Sequence, residues 1–101
     1  MMKIELEVKT EEGAEELLLE FVRGVDKGLT EELRRMGLGE PSVILSKSGG
    51  KYYLRIELQG VPDVPSYVKR VAFRGLMKRL CSLIEEAVRR GGYKCEAKAV
   101  W

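Results

Sequence analysis

Val43-Ile44-Leu45-Ser46-Lys47-Ser48-Gly49-Gly50-Lys51-Tyr52-Tyr53-Leu54-Arg55-Ile56-Glu57-Leu58 is the stretch whose reading decides the fold. Two β-rich runs meet at Gly49-Gly50, and a two-residue type I′ turn needs positive φ at both central positions, which glycine adopts at no steric cost. The register imposed by such a turn sets Leu45 opposite Leu54 and Val43 opposite Ile56 on one face. Turn and hydrophobic pattern therefore agree, and a β-hairpin is predicted.

Working outward toward the N-terminus, Gly37, Gly39 and Pro41 mark a loop. Before it, Leu18, Phe21, Val22, Val25 and Leu29 recur at helical spacing, with Glu15, Glu16, Glu20, Arg23 and Asp26 largely outside that stripe. The spacing predicts a helix from about residue 12 to 27, stopped by Gly28. Thr30 then caps a short further turn carrying Leu33 to Met36, with Glu31 and Glu32 at its positive end. At the start of the chain Ile4, Leu6 and Val8 alternate with Lys3, Glu5, Glu7 and Lys9, the period of a strand.

Toward the C-terminus, Gly60, Pro62 and Pro65 end the hairpin, and Asp63 or Ser66 is available to cap a long helix. Its apolar stripe is Phe73, Leu76, Met77, Leu80, Leu83, Ile84, Ala87 and Val88, and Gly91-Gly92 closes it. Tyr93, Cys95, Ala97, Ala99 and Trp101 then alternate with Lys94, Glu96 and Lys98, a fourth strand short of bulk and suited to a sheet edge. The order β-α-β-β-α-β predicts one α+β domain over residues 1–101, a ferredoxin-like sandwich with an antiparallel four-stranded sheet and both helices on one face. The other face would carry Lys3, Glu5, Glu7, Lys9, Tyr53, Arg55, Glu57, Lys94, Glu96 and Lys98, a mixed-sign, salt-bridged surface.

Composition narrows the chemistry. In 101 residues, 45% hydrophobic and 34% charged residues support a packed core and exclude a disordered chain. There is no His and no Asn, which removes Ser-His-Asp, Cys-His and His-based metal constellations as well as acylphosphatase-type catalysis. Cys81 and Cys95 are too few for a disulfide scaffold or a zinc site and read as reduced packing residues in an intracellular, cytoplasmic protein. Arg74 and Lys78 near Cys81 would lower a thiol pKa, but no base accompanies them. Neither Gly49-Gly50 nor Gly37-x-Gly39 sits in a phosphate-binding context. No catalytic residue, cofactor or metal is therefore expected. The first residues alternate in charge and no long apolar run follows, so neither a signal peptide nor a membrane span is expected. One Gln, no Asn and abundant Glu, Lys and Arg resemble a thermophile's composition.

A net charge of +2 is small for a dedicated nucleic-acid binder, so any basic patch must be local. The exposed sheet face offers Tyr53 but not the aromatic pattern of an RRM. On the second helix, Arg70, Arg74 and Lys78 follow i, i+4, i+8 spacing and form a ridge suited to RNA phosphates or an acidic partner. Arg89-Arg90 at its C-terminus are explained by the helix dipole alone. Tyr93 and Trp101 bring aromatic area near an edge strand and are the candidate residues of a dimer edge, in a homodimer or a heterodimer with a related chain.

The short charged strand, the acidic opening of the first helix, Gly50-Lys51-x-x-Leu54-x-Ile56 and the basic amphipathic second helix together resemble the small dimerising subunit of the archaeal and eukaryotic KEOPS complex, which makes threonylcarbamoyladenosine in tRNA. The likeness spans roughly residues 3 to 90. Lys69-Arg70 stands where family members carry Leu-Arg, Arg74-Gly75 where they carry Asn-Ser, and Tyr93–Trp101 is additional to the family layout. The resemblance implies a non-catalytic subunit that dimerises, docks onto a catalytic subunit within a larger complex and helps hold tRNA. The residues themselves leave open a stand-alone ferredoxin-like RNA-binding protein and, third, a small-molecule or regulatory binding domain.

Overall fold

The computed structural model describes the backbone of residues 1–101 and every side chain but that of Asp26, so the expected surface position of Asp26 lies outside the described residues. Strand β1 (Met2–Thr10) leads through a 3-10 turn (Glu12–Ala14) into helix α1 (Glu15–Arg35); β2 (Pro41–Ser48) and β3 (Lys51–Leu58) follow, then helix α2 (Ser66–Arg90) and β4 (Cys95–Val100). The strands form one antiparallel sheet in the order β2-β3-β1-β4. This is the ferredoxin-like arrangement, in which β3 is inserted between β1 and β2.

The hairpin has the predicted register. Leu45 pairs with Leu54 and Val43 with Ile56, and Gly49 and Gly50 take φ of 58° and 76°. Alternation then puts Ile4, Leu6 and Val8 of β1 and Leu54, Ile56 and Leu58 of β3 on the helix-facing side, all at most 2% exposed. Leu18, Leu29 and Leu33 of α1 and Phe73, Met77, Ile84 and Val88 of α2 close the core over them. Helix α1 lies over β2 and α2 over β4.

Helix α1 does not break at Gly28. It runs unbroken for 21 residues, because Leu29 and Leu33 extend the stripe of Leu18, Val22 and Val25 and are both buried. Burying each leucine is worth about 1.5–3 kcal/mol, against about 1 kcal/mol for an interior glycine relative to alanine. Thr30 is consequently an interior helical residue and not a cap. The helix ends at Gly37, with φ of 77°, in a Schellman motif: Gly37 N–H donates to Arg34 C=O at 3.0 Å and Leu38 N–H to Leu33 C=O at 2.9 Å.

The start of α2 also departs from expectation. Pro65 holds the cap position, and neither Asp63 nor Ser66 caps the helix. Asp63 instead bridges Lys69 at 2.8 Å, and Ser66 Oγ donates to the Trp101 carbonyl at 2.7 Å. Both side chains have tertiary partners that compete with the helix amides. At the other end Gly92 N–H donates to Arg89 C=O and Tyr93 N–H to Val88 C=O, a second Schellman closure.

Candidate nucleic-acid interface

Helix α2 turns its buried stripe to the sheet, and Leu76 and Ala87 are half-buried beside α1. At 100° per residue, Arg70, Arg74 and Lys78 emerge on the opposite flank, over the β4 side, and all three are exposed. None of them makes an ion pair or hydrogen bond with any described residue. Their neighbours behave otherwise: Lys69 is held by Asp63, Arg79 bridges Glu32 on α1 at 3.1 Å, Arg89 lies 3.7 Å from Glu85, and Arg90 pairs with Glu86. From Ser66 to Ile84 the helix carries no acid at all. Cations near a helix N-terminus face the positive end of the dipole, so Arg70 contributes nothing favourable to α2 through it.

Two large side chains share this outer flank. Tyr67 is 71% exposed and Val71 is 83% exposed. Together with Arg70, Arg74 and Lys78 they occupy positions i, i+3, i+4, i+7 and i+11 of one surface. Reading the ridge by charge alone missed them, although their spacing is visible in the sequence.

The open sheet face is different in kind. Glu7, at its centre, is 6% exposed and sits between Lys51 Nζ at 2.6 Å and Lys98 Nζ at 3.3 Å. The Lys51 hydrogen bond chiefly holds its carboxyl below the usual range, against the opposing effect of burial, and Glu7 in turn raises the Lys51 ammonium. Arg55 lies 3.9 Å from both Glu5 and Glu57. Tyr53 is only half exposed among these pairs, so the face is a charge-compensated lattice without a free aromatic platform.

Tyr93 and Trp101, predicted at a dimer edge, are both half-buried against their own core. The Tyr93 ring covers Gly13, where a Cβ would approach the ring to 2.8 Å. Strand β4 does lie at an edge, and α2 furnishes that edge: Glu85 accepts from Ala97 N–H at 3.0 Å, Arg89 donates to the Cys95 carbonyl at 2.8 Å, and Ser66 donates to the Trp101 carbonyl. The exposed large apolar residue on β4 is Val100 instead.

The cysteines are free and buried. Burial pushes the Cys81 thiol up to about 11, with the Glu85 carboxylate adding to the effect, and Cys95 is raised mainly by the same burial. The lowering by Arg74 and Lys78 considered from the sequence does not occur, because Cys81 faces the core while those cations point to solvent. Among the described residues no cluster of three acids or thiols is placed to hold a metal, and no helix is long and apolar enough to cross a membrane.

Between the helices lies a groove of about 520 Å³, floored by Phe21, Val25, Leu76, Leu80, Leu83 and Ala87. Leu83, assigned to the core by its spacing, is 51% exposed here because it faces this groove and not the sheet. Gly24 and Gly28 line it too, and a Cβ at either would meet nothing within 4 Å.

No family model matches the chain, and no curated protein matches it. Among solved structures it is similar to a de novo designed protein with ferredoxin fold, LFR1 1, determined by solution NMR: TM-score 0.60 at 16% identity, covering 100% of this chain and 87% of that one. That likeness establishes the ferredoxin fold.

Proposed function

We propose that the chain is a non-catalytic accessory subunit of a cytoplasmic complex, of the kind the KEOPS tRNA-modification machinery uses, and that it contributes the Arg70–Arg74–Lys78 ridge to RNA backbone contact. One observation carries this reading. These three cations have no partner within the described chain, on a helix segment without acids, while the surrounding Lys69, Arg79, Arg89 and Arg90 are engaged. Free cations set in a row match a phosphate backbone, where each one neutralised releases a counterion.

The test is a salt titration of tRNA binding. Changing Arg70, Arg74 and Lys78 together to Gln should lower the slope of log K against log salt by about 2 to 3, because each phosphate that is no longer neutralised takes away about 0.7 to 0.9. An unchanged slope would remove the ridge from RNA binding. The same titration with and without co-purified partner chains separates an accessory subunit from the second reading, a stand-alone RNA-binding protein. The former binds tRNA weakly until its partner is added.

We place the dimer contact of this subunit at β2, not at β4. The two-residue turn makes Ser48 and Lys51 a hydrogen-bonded pair, so Ser46, Ile44 and Ser42 direct their backbone to β3, and Val43, Leu45 and Lys47 direct theirs outward. No described side chain hydrogen-bonds to that edge, and Ile44 beside it is 44% exposed. Light scattering should report about twice the 11.4 kDa chain mass, and Leu45→Pro, which removes an outward N–H, should return the monomer.

A further inference from the structure

We propose that Tyr67 is a stacking platform for an unpaired RNA base, flanked by Arg70 and Arg74, so that the α2 interface takes a single-stranded or looped stretch of RNA and not a duplex. This rests on the ridge reading above and adds to it a residue, a contact type and a class of RNA.

Tyr67 has no packing role that accounts for it. Its ring stands 71% exposed one turn before Val71, itself 83% exposed, although burying an aromatic of this size is among the larger stabilising contributions a side chain can make. It lies in the first turn of α2, after Pro65 and next to Ser66, whose hydroxyl holds the Trp101 carbonyl. Arg70 follows at i+3 and Arg74 at i+7, so their Cα atoms lie about 4.5 and 10.5 Å beyond that of Tyr67 along the axis, on the same flank. A base laid on the ring would have its flanking phosphates within reach of unpaired cations.

The surroundings favour an anionic ligand. The nearest acid in sequence, Asp63, is held by Lys69 at 2.8 Å, and that bridge holds its carboxyl below the usual carboxylate range. The next acid along the helix is Glu85, engaged by Ala97 and Arg89. An approaching phosphate thus meets no carboxylate of the helix itself along more than four turns. A duplex would satisfy the cations and leave the ring unused, since its bases are stacked on each other. Only unpaired bases offer a face to an aromatic side chain.

The experiment is fluorescence anisotropy of the full chain with a labelled 12-nucleotide oligouridine and a 12-base-pair RNA duplex, at several salt concentrations. The single strand should bind more tightly. Tyr67→Ala should weaken it by about 5- to 150-fold, the range of one base–aromatic stack, with the salt slope unchanged. Tyr67→Phe should keep affinity within about twofold. Circular dichroism melting checks that each variant is folded. If Tyr67→Ala binds like the parent while the triple Gln variant loses its salt slope, stacking is overturned and the phosphate ridge stands. If the parent binds neither RNA even at low salt with its co-purified partner chains added, the ridge reading falls and the platform with it. Polyglutamate competing as well as oligouridine, indifferent to Tyr67, would assign the surface to an acidic protein and overturn the proposal.

Discussion

The two ends of α2 put their charged residues to opposite uses. From Glu85 onward its charges are spent on the fold: Glu85 and Arg89 satisfy backbone groups on the free edge of β4, and Arg90 pairs with Glu86. Before Glu85 the charges on the outer flank satisfy nothing in the chain, and an exposed tyrosine and valine stand among them. Ser66 to Ile84 carries five cations and no acid, and Glu85 to Arg90 two of each, but that count does not say which cations are left free. What separates them is the neighbour. The C-terminal half runs beside an unprotected strand edge that would otherwise expose donors and acceptors, whereas the outer flank of the N-terminal half looks into solvent.

The strongest way to break this comparison is through the stripe shared by both halves. Ile84 is fully buried at the junction, and Ile84→Ala should cost about 2–5 kcal/mol in urea unfolding. A cost below about 1 kcal/mol would mean that α2 is not a single rigid element. Next comes the edge clamp. Glu85→Ala should cost about 1.5–3 kcal/mol, the net worth of a hydrogen bond to a charged group, and raise hydrogen exchange at Ala97 selectively, with Glu85→Gln recovering most of the protection. Protection at Ala97 that is indifferent to position 85 would erase the distinction between the halves.

Smaller again is the ridge itself. Replacing Arg70, Arg74 and Lys78 by Gln should change stability by no more than about 0.5 kcal/mol, as surface positions without partners do. A loss above about 1 kcal/mol would show that these cations serve the fold after all.

The last prediction uses pH to mark where structural charge lies. Glu7 has a carboxyl held low in the folded state, so the unfolded chain binds more protons as pH falls. Its stabilisation is complete above the ordinary Glu value of about 4.3 and is lost as pH drops through the lower folded value. Lys51→Met, which removes the main cause of the shift, should flatten this part of the stability profile, while the triple Gln variant of the ridge should leave it unchanged.

Much of the fold was legible because its signals are local. The Gly49-Gly50 turn and the alternation on either side dictate the pairing of Leu45 with Leu54, since a one-residue slip would invert both faces. The continuity of α1 through Gly28 is not legible for the complementary reason: a glycine's cost is local, whereas the gain from Leu29 and Leu33 exists only once a sheet lies beneath them. Leu83 shows the same limit. Spacing places it near the core stripe, yet whether it meets the sheet or the groove depends on how α1 approaches α2. The ridge of Arg70, Arg74 and Lys78 was legible as spacing, and the absence of partners was not.

The sequence by itself determined the order of elements, the hairpin register, the two-sided character of the sheet and the exclusion of histidine chemistry, because each follows from residue type and period along the chain. Only the tertiary structure decided that β4's edge is clamped by Glu85 and Arg89, that Tyr93 and Trp101 turn inward, that Gly24 and Gly28 open a groove between the helices, and which cations remain free. Those are outcomes of which side chains meet across distances of tens of residues, and a charge acquires its role only from the neighbour that folding brings to it.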